Sequence, residues 1–142
     1  MTHRDDIVEL LVKTSGRVQA RLDTADVLTG NGIDGDDATA FLFTFATRFK
    51  TDLTQFRYYF HYAGDEPPGY PRVVALDPQG KPYPHIPITL DMLVRAVEQG
   101  KWEYDYPAFT LRTSALPGWA KPVIRLVLLG VILFSIGRLV LS

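Results

Sequence analysis

Apolar positions in the first hundred residues recur at the three-and-four spacing of amphipathic helices. Ile7, Leu10, Leu11, Thr14 and Val18 fall on one face of a first helix, and Gly16 ends it or weakens its last turn. Residues 19–33 read as a loop anchored by Leu22, Val27 and Leu28, with Asn31-Gly32 as a turn signal. A second helix starts at Asp34, whose carboxylate can accept a bond from a free N–H of the first turn. Asp36 and Asp37 add negative charge at the positive end of that helix, and Arg48 and Lys50 add positive charge at its negative end. Its buried face is Ala38, Phe41, Leu42, Phe45 and Phe49. Leu53, Phe56, Tyr59 and Phe60 predict a short third helix or turn that closes over the core.

A further helix over 89–99 is well punctuated. Thr89 caps it, Ile88 and Leu93 form a hydrophobic staple, and Gly100 lies just past its end. Its inner face is Leu90, Leu93, Val94 and Val97. Between the helices, residues 63–87 are proline-rich. Within them Arg72–Leu76 leads into Asp77-Pro78-Gln79-Gly80, a type I turn pattern. A small hairpin follows from this, its second arm confined to an edge by Pro82 and Pro84. Residues 104–118 read as an aromatic linker.

The tail is apolar all round. From Val123 to Leu141 only Arg125 and Arg138 are charged, and the uncharged centre, Leu126–Gly137, spans about 18 Å as a helix. With both arginines reaching the headgroups, the span lengthens to about 28 Å, close to the roughly 30 Å of a hydrocarbon core. Trp119 and Lys121 supply an interfacial aromatic and a positive flank. The expectation is a single-pass C-terminal anchor over residues 119–142 in a bacterial cytoplasmic (inner) membrane, with the N-terminal domain in the cytoplasm. A buried helix in a soluble oligomer, packed through Gly130 and Gly137, is the competing reading.

Composition narrows the chemistry. A net charge of −1, with Lys and Arg balanced by Asp and Glu, lacks the basic face of a nucleic-acid binder. The absence of cysteine excludes disulfides, thiol catalysis and Cys-based zinc sites. The first residues, Met1 to Asp6, have no apolar core of the signal-peptide kind. His3, His61 and His85 are too widely separated for paired metal ligation. Asp34, Asp36 and Asp37 do not form a calcium loop, since positions six and twelve counted from Asp34 hold Thr39 and Phe45 in place of Gly and Glu. His61 beside Asp65 and Glu66 is the one conceivable acid–base pair, and such loop residues are more often simply solvated. No phosphate-binding loop, dinucleotide fingerprint or nucleophile elbow occurs. The tyrosines around the proline-rich segment have only Arg57 and Arg72 near them, too few for base stacking along a nucleic acid.

The run Gly32-Ile33-Asp34-Gly35-Asp36-Asp37-Ala38, with the aromatic helix after it, resembles the start of helix II in an acyl carrier protein. In that family a serine follows the aspartate and carries a phosphopantetheine arm; here Gly35 occupies the serine position. A closer resemblance is to an uncharacterised bacterial acyl-carrier-protein-like family, the domain of unknown function 1493. It rests on Gly35-Asp36-Asp37, on Phe49-Lys50-Thr51-Asp52-Leu53, on Tyr59-Phe60, and on Ile88 to Leu93 running to Gly100-Lys101-Trp102. The resemblance implies a mainly α fold: a small acyl-carrier-like helical bundle over 1–103 with the insertion at 63–87, then the linker, then the hydrophobic helix over 119–142. It implies no catalytic residue, no cofactor and no metal. Ser15, Ser114, Ser135 and Ser142 do not follow an aspartate at a helix start, so a conventional carrier role is not expected. The expected function is a non-catalytic interaction module tethered to the membrane, with Asp34, Asp36 and Asp37 docking an unknown protein partner. The alternative is an atypical carrier protein in lipid or acyl metabolism, modified or completed by a partner.

Overall fold

A computed structural model describes residues 2–62 and 72–114. Three α-helices, α1 (His3–Ser15), α2 (Gly35–Phe49) and α3 (Leu90–Gln99), are joined by two short 3-10 turns at Thr29–Asn31 and Tyr58–Phe60. Two strands, β1 (Arg72–Leu76) and β2 (Thr110–Ser114), pair as an antiparallel sheet. The chain divides into two compact units, 1–65 with 74–112 and 66–73 with 113–142. The first contains the helices and their core.

The helices form where their ends are chemically marked. Thr2 caps α1 by accepting from Asp5 N at 3.3 Å, and the Asp5 carboxylate accepts from Thr2 N at 3.0 Å in return. Gly16 stops the helix in the left-handed conformation at φ +64°. Thr89 caps α3 by accepting from Met92 N at 3.2 Å, and Gly100 ends it at φ +70°. The core joins Ile7, Leu10 and Leu11 of α1 to Phe41, Leu42 and Phe45 of α2 and to Leu90, Leu93 and Ala96 of α3. Ion pairs tie the helices at the surface: Arg48 of α2 to Glu9 of α1 at 3.1 Å, and Arg4 of α1 to Asp91 of α3 at 3.1 Å.

The ends of α2 and α3 are stitched together. Asp52 N donates to Gly100 O at 2.9 Å and Trp102 N donates to Asp52 O at 2.8 Å, a parallel bridge one residue wide. The two sequence blocks Phe49–Leu53 and Gly100–Trp102 therefore meet in space.

Some faces differ from the pattern. Val18 is fully exposed because α1 ends at Gly16, two residues before the register reaches it. On α3, Ala96 is buried and Val94 and Val97 are half-buried, because the inner stripe runs through Leu90, Leu93 and Ala96.

The expected fold class requires correction. The described residues form a small mixed fold of three helices and a two-stranded sheet, and the mainly α bundle does not describe it. The strand that pairs with β1 comes from the region read as an aromatic linker. The turn at 77–80 forms as predicted, with Gly80 N donating to Asp77 O at 2.9 Å and the Asp77 carboxylate accepting from Gln79 N and Lys81 N. Its return arm supplies one bridge, Leu76 to Pro82, with Asp77 N donating to Lys81 O at 2.8 Å and Tyr83 N to Ala75 O at 3.1 Å. Pro82 and Pro84 have no N–H to continue the ladder, and the strand paired with β1 is β2.

The membrane expectation is also corrected. No helix among the described residues is long and apolar enough to cross a membrane. The longest, α2, has 15 residues, about 22 Å, and carries Asp36, Asp37 and Arg48. The C-terminal hydrophobic helix assigned to residues 119–142 lies outside the described residues, and no described helix supports a single-pass anchor in the inner membrane.

Candidate functional site

Asp34 takes extended dihedrals, φ −142° and ψ 169°, and its Oδ1 accepts from Gly35 N at 2.9 Å. Its backbone carbonyl accepts from Asp37 N and Ala38 N, closing the first turn. Gly35 is buried and sits at φ +53°, in the left-handed region. A side chain at that φ brings Cβ against the following carbonyl, at about 1–2 kcal/mol. Position 35 thus lacks a hydroxyl and has a backbone suited to glycine. Asp34, Asp36 and Asp37 are exposed around it.

One turn further on, Thr39 Oγ1 contacts Gly35 O at 3.3 Å and the Tyr62 hydroxyl at 3.2 Å. Tyr62 is half-buried, and burial pushes its pKa above the usual tyrosine value, with smaller upward contributions from Tyr58 and Asp34 that the Thr39 bond opposes. The groups beside Gly35 are a threonine bonded along its own helix and a protonated phenol. Neither is placed as a base-activated nucleophile.

The outer face of α2 holds the feature the apolar pattern passed over. Phe43 is 75% exposed at the middle of the helix. Around it Thr44 Oγ1 donates to Ala40 O and Thr47 Oγ1 to Phe43 O, each at 2.9 Å. These hydroxyls are spent within the helix. A helical wheel places Phe43 opposite Phe41, Phe45 and Phe49, so the signal was present in the spacing.

His61 is 1% exposed and belongs to a closed network. Ile86 O, which only accepts, lies 2.9 Å from Nδ1, so Nδ1 carries the proton. Nε2 then accepts from the Tyr106 hydroxyl at 2.7 Å. The same oxygen accepts from Trp102 Nε1 at 3.0 Å and Arg57 N at 3.2 Å. Rings pack around this hub, with Phe56 stacked on the imidazole at 4.8 Å and Trp102 edge-on at 5.6 Å. Burial lowers the His61 pKa; the Ile86 carbonyl opposes the shift. Both ring nitrogens are occupied in the core, so His61 has none left for acid–base work. Asp65 and Glu66, its expected partners, lie outside the described residues.

A second polar knot orders the loop before α2. The buried Asp26 carboxylate accepts four bonds: Leu28 N at 2.9 Å and Thr29 N at 3.0 Å on Oδ1, and Ile88 N at 3.0 Å and His85 Nε2 at 2.8 Å on Oδ2. Buried Asn31 clamps the same loop, donating to Arg21 O and Val27 O and accepting from Arg21 N. Sequence spacing carries no trace of Asp26 meeting Ile88, 62 residues on.

Among the described residues, no group of three or more His, Asp or Glu side chains gathers as metal ligands would. A groove of about 120 Å³ lies between α3 and the segment after it, lined by Met92, Arg95, Gln99, Trp102 and Tyr104 among others, with no serine or histidine in its wall.

Residues 4–105 match a family described as a protein of unknown function (DUF1493). No curated protein and no solved structure matches the chain.

Proposed function

The chain belongs to that family of unknown function, and from this premise we propose that it is a non-catalytic, acyl-carrier-like interaction module that meets its partner through α2. The observation that carries the reading is Gly35. A phosphopantetheine arm needs a hydroxyl exposed at the helix start, and this position is a buried glycine at φ +53°. The surroundings of a carrier helix start are kept while its nucleophile is absent. Asp34, Asp36 and Asp37 stay exposed on one end of α2, where they can meet a basic surface, and Phe43 adds an exposed aromatic at its centre. The commitment of His61 to the core network further supports a non-catalytic role.

The test is the intact mass of the full chain after co-expression with a phosphopantetheinyl transferase. The expected mass is that of the unmodified polypeptide. A chain heavier by one phosphopantetheine overturns the reading in favour of an atypical carrier protein in lipid or acyl metabolism.

A further inference from the structure

The chain has three histidines, each held in a different way. His61 has both ring nitrogens taken up in the core. His3 opens α1, exposed, with neither ring nitrogen hydrogen-bonded among the described residues. His85 has one nitrogen fixed and one free. Its Nε2 lies 2.8 Å from Asp26 Oδ2, and its side chain is 45% exposed where that of Asp26 is 9% exposed. Nδ1 has no hydrogen-bond partner among the described residues.

The buried carboxylate sets the tautomer. Asp26 Oδ1 already accepts from Leu28 N and Thr29 N, and Oδ2 from Ile88 N. A carboxylate so held only accepts, so the proton in the contact is carried by His85 Nε2. The lone pair of the neutral ring is then on Nδ1. The backbone around it is pinned as well. Pro84 and Pro87 restrict φ on either side, Ile86 N donates to Phe60 O at 2.7 Å, and Val27 N donates to Ile88 O at 2.8 Å. A carboxylate holding a histidine by one nitrogen orients the other for bond formation.

We propose that His85 Nδ1 is a nucleophile that accepts a phosphoryl group from a small phosphorylated donor, a role separate from docking through α2. Other uses of this imidazole lack a part. A metal ion needs further ligands, and no group of three gathers among the described residues. Activation of a neighbouring nucleophile needs a hydroxyl or thiol bonded to the ring; no described hydroxyl bonds to His85, and the chain has no cysteine. An acyl group on an exposed imidazole is soon lost to water when no second nucleophile takes it up. A phosphoryl group on nitrogen survives at neutral pH and is lost in acid.

In the transfer, the Nδ1 lone pair forms the N–P bond as the donor's own bond to phosphorus breaks. The electron pair of that broken bond departs with the leaving group. The ring gains a positive charge and keeps its Nε2 proton, still donated to Asp26. The carboxylate thereby stabilises the charge that develops. Phosphorylation tightens the tie between His85 and the loop before α2, and adds negative charge a few residues before α3.

Phosphoramidate is the probe, since it transfers its phosphoryl group to imidazole and releases ammonia. The full chain is incubated with it at neutral pH. Labelled histidines are located by mass spectrometry without acid, and the labelled nitrogen by nitrogen–phosphorus NMR coupling. The expected result is labelling of His85 at Nδ1 about tenfold or more faster than His3. His61 stays unlabelled, which marks the chain as folded. In urea all three histidines react alike, because the advantage of His85 comes from the fold. Asp26→Asn keeps the shape and removes the charge; it slows His85 about tenfold and leaves His3 unchanged. The comparison of His85 with His3 in the parent chain does not depend on how that variant folds. His85 reacting no faster than His3 in the folded chain, or labelled at Nε2, overturns the proposal.

Discussion

Replacing Gly35 with serine introduces the residue that the proposed likeness to carrier proteins would set at this position, and the buried, left-handed backbone there predicts that it harms the fold. The left-handed φ of +53° costs a side-chain-bearing residue about 1–2 kcal/mol. The position is buried, so a serine hydroxyl left without a partner adds about 1–3 kcal/mol. Loss of glycine's freedom in the unfolded chain offsets about 0.4–1 kcal/mol. The net loss is roughly 1–4 kcal/mol for Gly35→Ser, and about 1 kcal/mol for Gly35→Ala, which carries the strain alone. Asparagine tolerates the left-handed region, so Gly35→Asn relieves part of that strain. Urea unfolding at pH 7 measures these differences as shifts in midpoint at constant slope. Gly35→Ser and Gly35→Ala chains as stable as the parent would refute the left-handed, buried assignment of this residue. A Gly35→Ser chain that is both stable and efficiently modified by a phosphopantetheinyl transferase would show that the helix start is an ordinary carrier site lacking only its hydroxyl.

Three other outcomes follow from the polar knots. Tyr106→Phe removes the oxygen shared by His61, Trp102 and the Arg57 amide, and is expected to cost about 2–3 kcal/mol in denaturant unfolding. Burial lowers the pKa of His61 in the fold, so between that value and about 6.5 the unfolded chain binds more protons. Its contribution to stability is full above about pH 6.5 and is lost as the pH falls below it, by at most about 1.4 kcal/mol per pH unit; unfolding between pH 7 and 5 should show a shallower slope in His61→Gln. Asp26→Ala leaves the Leu28, Thr29 and Ile88 amides without their acceptor and is expected to cost about 3–5 kcal/mol, read by the same titration.

Local chemistry was readable along the chain where it acts over a few residues. The Asp34 and Thr89 caps, the Gly16 and Gly100 stops and the 77–80 turn each follow from neighbours within one helical turn. The buried stripe of α2 likewise follows from spacing alone. The sheet was missed because β2 lies in a segment whose aromatic residues suggested a linker, and pairing across about 35 residues leaves no periodic mark in either strand. His61 and Asp26 were opaque for the same reason, since their roles depend on Tyr106, Ile86 and Ile88 from distant parts of the chain. Phe43 was legible, since helical spacing sets it on the face opposite Phe41 and Phe45.

The bonds from Asp26 and Val27 to Ile88 also set an order of events in folding. Residues 26–31 have a buried carboxylate whose charge is fully matched only when Ile88 and His85 arrive, about sixty residues later. During synthesis, α1 and α2 can form as local helices, but the loop between them stays uncommitted until the start of α3 has been made. The first half of the chain therefore holds only two of the four bonds to the Asp26 carboxylate. Assembly waits on a late, long-range closure, the kind of step that slows small proteins most.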